Sequence, residues 1–177
     1  MLPAAPAATE RRPLVNAMAL EIERKFLVTH GGWRRPAGGV RYRQGYLSTD
    51  PGRSVRVRSG AGKAFITIKG LTVNRTRPEY EYPIPVQDAE ELLDGLCLKP
   101  LIEKTRHILE HAGVRWEVDE FEGANAGLVI AEVELAAADQ HVELPDWVGA
   151  EVTDDPRYYN ASLIKHPYAA WGGRPAR

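Results

Sequence analysis

Glu21-Ile22-Glu23-Arg24-Lys25 places Glu21, Glu23 and Lys25 on one parity, with Ile22 and Arg24 on the other. In a β-strand, residues two apart point to the same face, so this stretch would lay three charges on one side of a sheet. The pattern recurs along the chain in Arg56-Val57-Arg58, Glu79-Tyr80-Glu81, Lys104-Thr105-Arg106 and Glu132-Val133-Glu134. Like charges two apart on one face repel unless counter-ions or a ligand neutralise them. A sheet built from such stretches calls for a bound polyanion and a bound metal.

Working outward from these stretches, eight strands are expected: Leu20–Val28, Val40–Leu47, Arg53–Ser59, Lys63–Lys69, Thr76–Ile84, Leu101–Glu110, Val114–Phe121 and Leu128–Leu135. Glycine-bearing gaps such as Gly60-Ala61-Gly62 and His111-Ala112-Gly113 read as hairpin turns, so neighbouring strands run mostly antiparallel. Helical patterning is confined to Gln87–Leu96 and Pro156–Ile164, the second behind Asp154 and Asp155 as caps, with one further turn expected near Asp139. The expected fold is mainly β (α+β), an eight-stranded antiparallel closed barrel with a few covering helices, because closure removes exposed sheet edges. The apolar parity of Ile22, Phe26, Val55, Val57, Ile66, Ile68, Tyr80, Tyr82, Val133 and Leu135 should face outward beneath helices and loops. The charged parity then faces a wet lumen, since burying so many ions dry would cost several kcal/mol each.

Bulk properties narrow the field. A chain of 177 residues with formal net charge −1 and 27% charged residues fits one ordinary globular domain with no global pull toward nucleic acid or anionic membrane. The single cysteine, Cys97, excludes an intramolecular disulfide, reads as a buried apolar filler and fits a reducing cytoplasm. No apolar run reaches the roughly 18–20 residues needed to span a bilayer. Residues 1–17, rich in Ala and Pro, read as a disordered tail before a single domain spanning 18–177, and Met18 raises the question of where translation starts. His30, His107, His111, His141 and His166 are scattered without metal spacing and read as surface or loop residues. Trp33, Trp116, Trp147 and Trp171 form no basic-aromatic stripe for stacking nucleic acid. Neither a Gly-x-x-x-x-Gly-Lys phosphate loop nor a Gly-x-Ser-x-Gly elbow is present.

The residues on the charged parity carry the chemistry. Lys25, Arg56, Arg58, Lys69, Lys104 and Arg106 offer guanidinium and ammonium groups suited to phosphate oxygens. Glu21, Glu23, Glu132 and Glu134 supply hard carboxylate oxygens of the kind that bind Mg²⁺ or Mn²⁺. Glu79 and Glu81 could hold the basic side chains in place or touch metal directly. Either Asp119 or Glu117 could complete a second metal site or balance the cations. Gln44 and Tyr46 share parity, so Tyr46 either enters the lumen beside Lys25 or packs to close one end. Tyr158-Tyr159-Asn160 should plug or pack on the wall.

The ordered series Glu21-x-Glu23-x-Lys25, Arg56-x-Arg58, Lys69, Glu79-x-Glu81, Lys104-x-Arg106, Asp119 and Glu132-x-Glu134 resembles the CYTH superfamily, the triphosphate tunnel metalloenzymes, from about Leu20 to Tyr168. The run Arg43-Gln44-Gly45-Tyr46 is similar to short bacterial members that act as inorganic triphosphatases. The resemblance implies metal binding by Glu21, Glu23, Glu132 and Glu134, with Asp119, before Phe121-Glu122-Gly123, as a further metal acid. It implies substrate binding by Lys25, Arg56, Arg58, Lys69, Lys104 and Arg106, with Glu79 and Glu81 as supporting tunnel acids; the expected catalytic roles of Lys25 and Tyr46 rest on a cation beside a phenol, which would favour phenolate and position the hydroxyl. The expected activity is divalent-metal-dependent hydrolysis of tripolyphosphate to pyrophosphate and phosphate, with no nucleic-acid or membrane partner. Class IV adenylate cyclase, thiamine triphosphatase and a non-catalytic polyphosphate-binding module are the alternatives. Family members are often dimers, although no interface is legible here.

Overall fold

A computed structural model of the chain describes residues 22–34, 38–71, 78–137 and 139–172. The disordered tail expected at residues 1–17 lies outside them, as does Glu21. The strands are β1 (Ile22–Val28), β2 (Val40–Ser48), β3 (Arg53–Gly60), β4 (Lys63–Gly70), β5 (Glu79–Ile84), β6 (Ile102–His111), β7 (Val114–Phe121), β8 (Val129–Leu135) and β9 (Val148–Glu151). Helix α1 (Val86–Gly95) follows β5, and the single-turn α2 (Asn160–Leu163) lies near the end.

Two hairpins form where glycine-bearing gaps predict them. Ala61 and Gly62, and likewise Ala112 and Gly113, take positive φ, as a two-residue turn matching strand twist requires. All pairings are antiparallel, in the order β5-β4-β3-β2-β6-β7-β8-β1-β9.

The sheet thus departs from the expected eight-stranded closure. It has nine strands, and among the described residues no backbone ladder joins β5 to the other end. The β1 edge that closure would offer to β5 carries β9 instead, through Phe26↔Glu151 and Val28↔Val148. Curvature nevertheless makes one face concave. Arg106 of β6 reaches across β7 to Glu132 of β8, and Arg56 of β3 approaches Glu81 of β5 across β4.

The convex face is covered in two places. Phe26, Leu109, Trp116, Val118 and Val133 pack under Trp33, Val142 and Trp147. Val57 and Ala64 pack under Ala89 and Leu93 of α1, with Cys97 buried beside them as expected. Gly45 admits that layer closely, since a Cβ there would stand 2.7 Å from the Cys97 Cβ. Full coverage of the outer parity is not found: Ile68, Tyr80 and Tyr82 are exposed, because α1 crosses β3 and the near side of β4 and leaves the far side bare.

Two local expectations need correction. Pro156–Ile164 is not one helix: extended Tyr159 divides a 3-10 turn at Pro156–Tyr158 from α2, which lets Tyr158 and Leu163 reach one apolar cluster. Asp155 does cap that turn, accepting from the Arg157 N–H. Near Asp139 the Gln140 N–H bonds to the Ala137 carbonyl, so a turn does form where one is expected, and among the described residues it does not extend into a helix. His107 is no surface residue. It lies on β6 against Trp33, with ring centroids 4.8 Å apart and both ring nitrogens buried.

Candidate functional site

Register places the charged residues on the concave face. Glu23 and Lys25 stand opposite Glu134 and Glu132, Glu132 is opposite Glu117, and Asp119 is opposite Arg106. On the other side Tyr46 and Gln44 face Arg56 and Arg58, while Thr67 and Lys69 face Glu81 and Glu79. Every expected site residue within the described chain therefore shares one surface.

One end of that surface is apolar. Tyr46, Ile102, Phe121 and Ile130, all on the inner parity, pack with Val152, Tyr158, Leu163 and Ile164. The segment around Tyr158 packs on the wall as its sequence predicts. The Tyr46 hydroxyl accepts from Gln44 Nε2 at 3.3 Å, and Leu27, two residues from Lys25 on the same face, borders the same cluster.

Beyond the plug the β1–β8–β7–β6 wall is a tight ionic network. Lys25 Nζ lies 2.6 Å from both Glu132 Oε1 and Glu23 Oε1. Burial opposes the Lys25 charge, yet Glu132 and Glu23 outweigh it and hold its pKa above the ordinary lysine range. Arg106 donates to Asp119 through Nε and Nη2, both at 2.7 Å, donates from Nη2 to Glu132 at 3.0 Å, and pairs with Glu117. Lys104 also pairs with Asp119, which is wholly buried. Burial alone would push the Asp119 carboxyl up; Lys104 and Arg106 override it and hold it at about 2.

The β3–β4–β5 wall is looser. Arg56 and Arg58 share a single carboxylate, Glu81, each at 3.6 Å. Arg56 also donates to Thr67 Oγ1 at 3.2 Å, which donates to Glu81 at 2.8 Å, and Lys69 pairs with Glu79 at 2.6 Å. Burial, then the nearby Arg56 charge, lowers the Arg58 pKa. Glu79 and Glu81 thus hold basic side chains, one of the two roles left open for them.

The donor set suits a hard divalent cation. Glu23 and Glu134 are directly opposed like charges on paired strands, an arrangement that repels until a cation neutralises it. Glu132 is the next inner-face acid, and the oxygens are of the type Mg²⁺ and Mn²⁺ take. Among the described residues no three such side chains already converge on one point. Lys25 and Arg106 hold Glu132, and Glu21 lies outside the described residues.

Two residues that hydrogen-bond to the charged rows escape sequence reasoning. Thr67 sits on the Lys69 parity of Thr67-Ile68-Lys69, so alternation could have found it. Thr153 accepts the Lys25 N–H at 3.0 Å from a segment with no alternation at all.

A sheet that carries ordered rows of cations and carboxylates on one face is the opposite of a barrel for apolar ligands. Residues 19–168 match the CYTH domain, and the chain belongs to the CYTH family. It is 51% identical over 151 residues to an inorganic triphosphatase of Acetivibrio thermocellus, covering 85% of this chain and 97% of the relative. It is 39% identical over 154 residues to an inorganic triphosphatase of Nitrosomonas europaea, covering 81% and 95%. The crystal structure of an inorganic triphosphatase superposes with a TM-score of 0.62 at 35% identity, covering 84% of this chain and 97% of that one.

Proposed function

We propose that this protein is an inorganic triphosphatase that hydrolyses tripolyphosphate to pyrophosphate and phosphate with Mg²⁺ or Mn²⁺. The observation that carries the reading is the convergence of Lys25, Arg56, Arg58, Lys69, Lys104 and Arg106 on one concave face beside Glu23, Glu132 and Glu134. The names of both curated relatives support it. With substrate bound, the concave face serves as the wall of a closed tunnel around the phosphate chain.

Arg56, Arg58 and Lys69 grip the chain from one wall, and Lys104 and Arg106 from the other, spreading positive charge along it. Glu21, Glu23, Glu132 and Glu134 would hold the metal, with Asp119 as a further acid. A divalent ion held there would supply Lewis acidity and positive charge against the phosphate oxygens. Lys25, placed between Glu23 and Glu132, supports charge at the reacting phosphoryl group, and Tyr46 orients its hydroxyl toward the leaving group or water. In-line attack of water on the terminal phosphorus forms one P–O bond and breaks the bridging P–O bond, releasing pyrophosphate.

The test is phosphate release from tripolyphosphate, ATP and thiamine triphosphate, each with Mg²⁺, Mn²⁺ or chelator. Rapid metal-dependent release from tripolyphosphate is expected. Cyclic AMP and pyrophosphate from ATP would mark a cyclase, and binding without turnover of any of the three would mark a binding module.

A further inference from the structure

The β1–β9 ladder stops abruptly beside Lys25. Val152 still donates its N–H to the Lys25 carbonyl at 2.8 Å, but the chain then turns toward Asp154 and Asp155 and offers no backbone carbonyl to the Lys25 N–H. The Thr153 hydroxyl takes that place, accepting from the Lys25 N–H at 3.0 Å and donating to Glu151 Oε1 at 2.7 Å. Glu151 is in turn fixed by Arg24, whose Nε and Nη2 donate to its two oxygens at 2.9 and 2.6 Å. The Tyr159 hydroxyl donates to the Thr153 carbonyl at 3.2 Å, and Val152 is anchored in the cluster that contains Tyr46. Thr153 is thereby restrained on both sides of its Cα.

We propose that Thr153 is a positioning residue for Lys25, replacing a missing strand partner so that the β1 backbone delivers the Lys25 ammonium between Glu23 and Glu132. This rests on the reading of Lys25 as a residue of the triphosphatase site. An unpaired N–H at this half-buried point of β1 would let the strand shift, and displacement of a reacting group by about 1 Å costs up to roughly a hundredfold in rate. Alternation along the strand cannot reveal such a residue, because Thr153 lies outside every strand and acts through its side chain on another residue's backbone.

The experiment compares Thr153→Val, Thr153→Ala, Thr153→Ser and Lys25→Ala in the full chain. It measures kcat and KM for tripolyphosphate with Mg²⁺, thermal melting, and hydrogen exchange at the Lys25 amide. T153V and T153A should lower kcat about ten- to a hundredfold with KM nearly unchanged, accelerate Lys25 amide exchange, and melt close to wild type. T153S, which retains the acceptor, should restore both kcat and protection. Should either Val or Ala prove unstable, the other variant and T153S carry the comparison. Wild-type kcat in T153V or T153A alongside an inactive K25A would overturn the inference. So would a loss of kcat that leaves Lys25 amide exchange unchanged, or one that T153S shares. Wild-type turnover in K25A would instead refute the role given to Lys25 and leave the hydrogen-exchange result to report on Thr153 alone.

Discussion

The two walls of the concave face carry similar charges but settle them differently. On β6–β7–β8, Arg106 and Lys104 converge on Asp119 within a buried network that Lys25 extends through Glu132. On β3–β4–β5, two arginines share one partly exposed carboxylate at 3.6 Å, and edge strand β5 supplies it. Charges withdrawn from water must satisfy each other, so the buried Asp119–Lys104–Arg106 part of the first wall is geometrically fixed, while Glu23 and Glu134 at its far end stay opposed. The second retains positive potential that an incoming phosphate can take up by displacing Glu81. The walls thus differ in how far their cations are already satisfied by carboxylates, although both derive from the same alternation of sequence.

The most damaging single change to this arrangement should be Asp119→Ala, which leaves Lys104 and Arg106 without their shared partner. A loss of about 3–5 kcal/mol is expected in denaturant titrations, whereas an equally stable variant would show the buried network to be dispensable. Glu23→Ala removes a proposed metal donor at the exposed end of β1. It should abolish metal-dependent phosphate release, a fall of about a hundredfold or more, with the melting curve little altered; wild-type turnover in the folded variant would remove Glu23 from the metal site. Arg58→Ala should raise the KM for tripolyphosphate by roughly tenfold, the worth of a charge-assisted contact of about 1.4 kcal/mol. Its stability should hold or improve, because burial and Arg56 already disfavour the Arg58 charge. Glu81→Gln should have the smallest effect, tightening tripolyphosphate binding a fewfold at a stability cost within about 1 kcal/mol.

The walls should also separate in acid. Because the folded pKa of Asp119 lies at about 2, below that of an unfolded aspartate, its contribution is fully present above about pH 4 and is lost as pH falls toward 2. In chelator, wild-type stability should therefore decline across that window, while Asp119→Asn should lose this part of the pH dependence.

Much of the site was legible because parity in a strand is a local property. Once Arg56 and Arg58, or Lys104 and Arg106, occupy strands, backbone geometry puts each pair on one face, and apolar neighbours such as Val57 mark the other. The same reasoning located α1 and the two hairpins. It overlooked β9, because Val148-Gly149-Ala150-Glu151 is short and unalternating and pairs with a strand 120 residues away in sequence by virtue of an available edge. It ran the last helix unbroken from Pro156 to Ile164, where burial of Tyr158 in the plug overrides local helical preference. It misjudged His107, whose parity points outward but whose cover, Trp33, arrives from a distant turn.

The sequence by itself determined which side chains share the charged face, what ions and oligophosphates that face suits, and where the tight turns fall. These follow from the two-residue repeat of a strand and the chemistry of carboxylate, ammonium and guanidinium groups. Only the tertiary structure decided which cation meets which anion, that Asp119 is buried between Lys104 and Arg106 while Arg56 and Arg58 share Glu81, and that Thr153 meets Lys25. Those outcomes depend on register, curvature and edge occupancy, which arise between segments far apart in the chain and leave no periodic trace in either one.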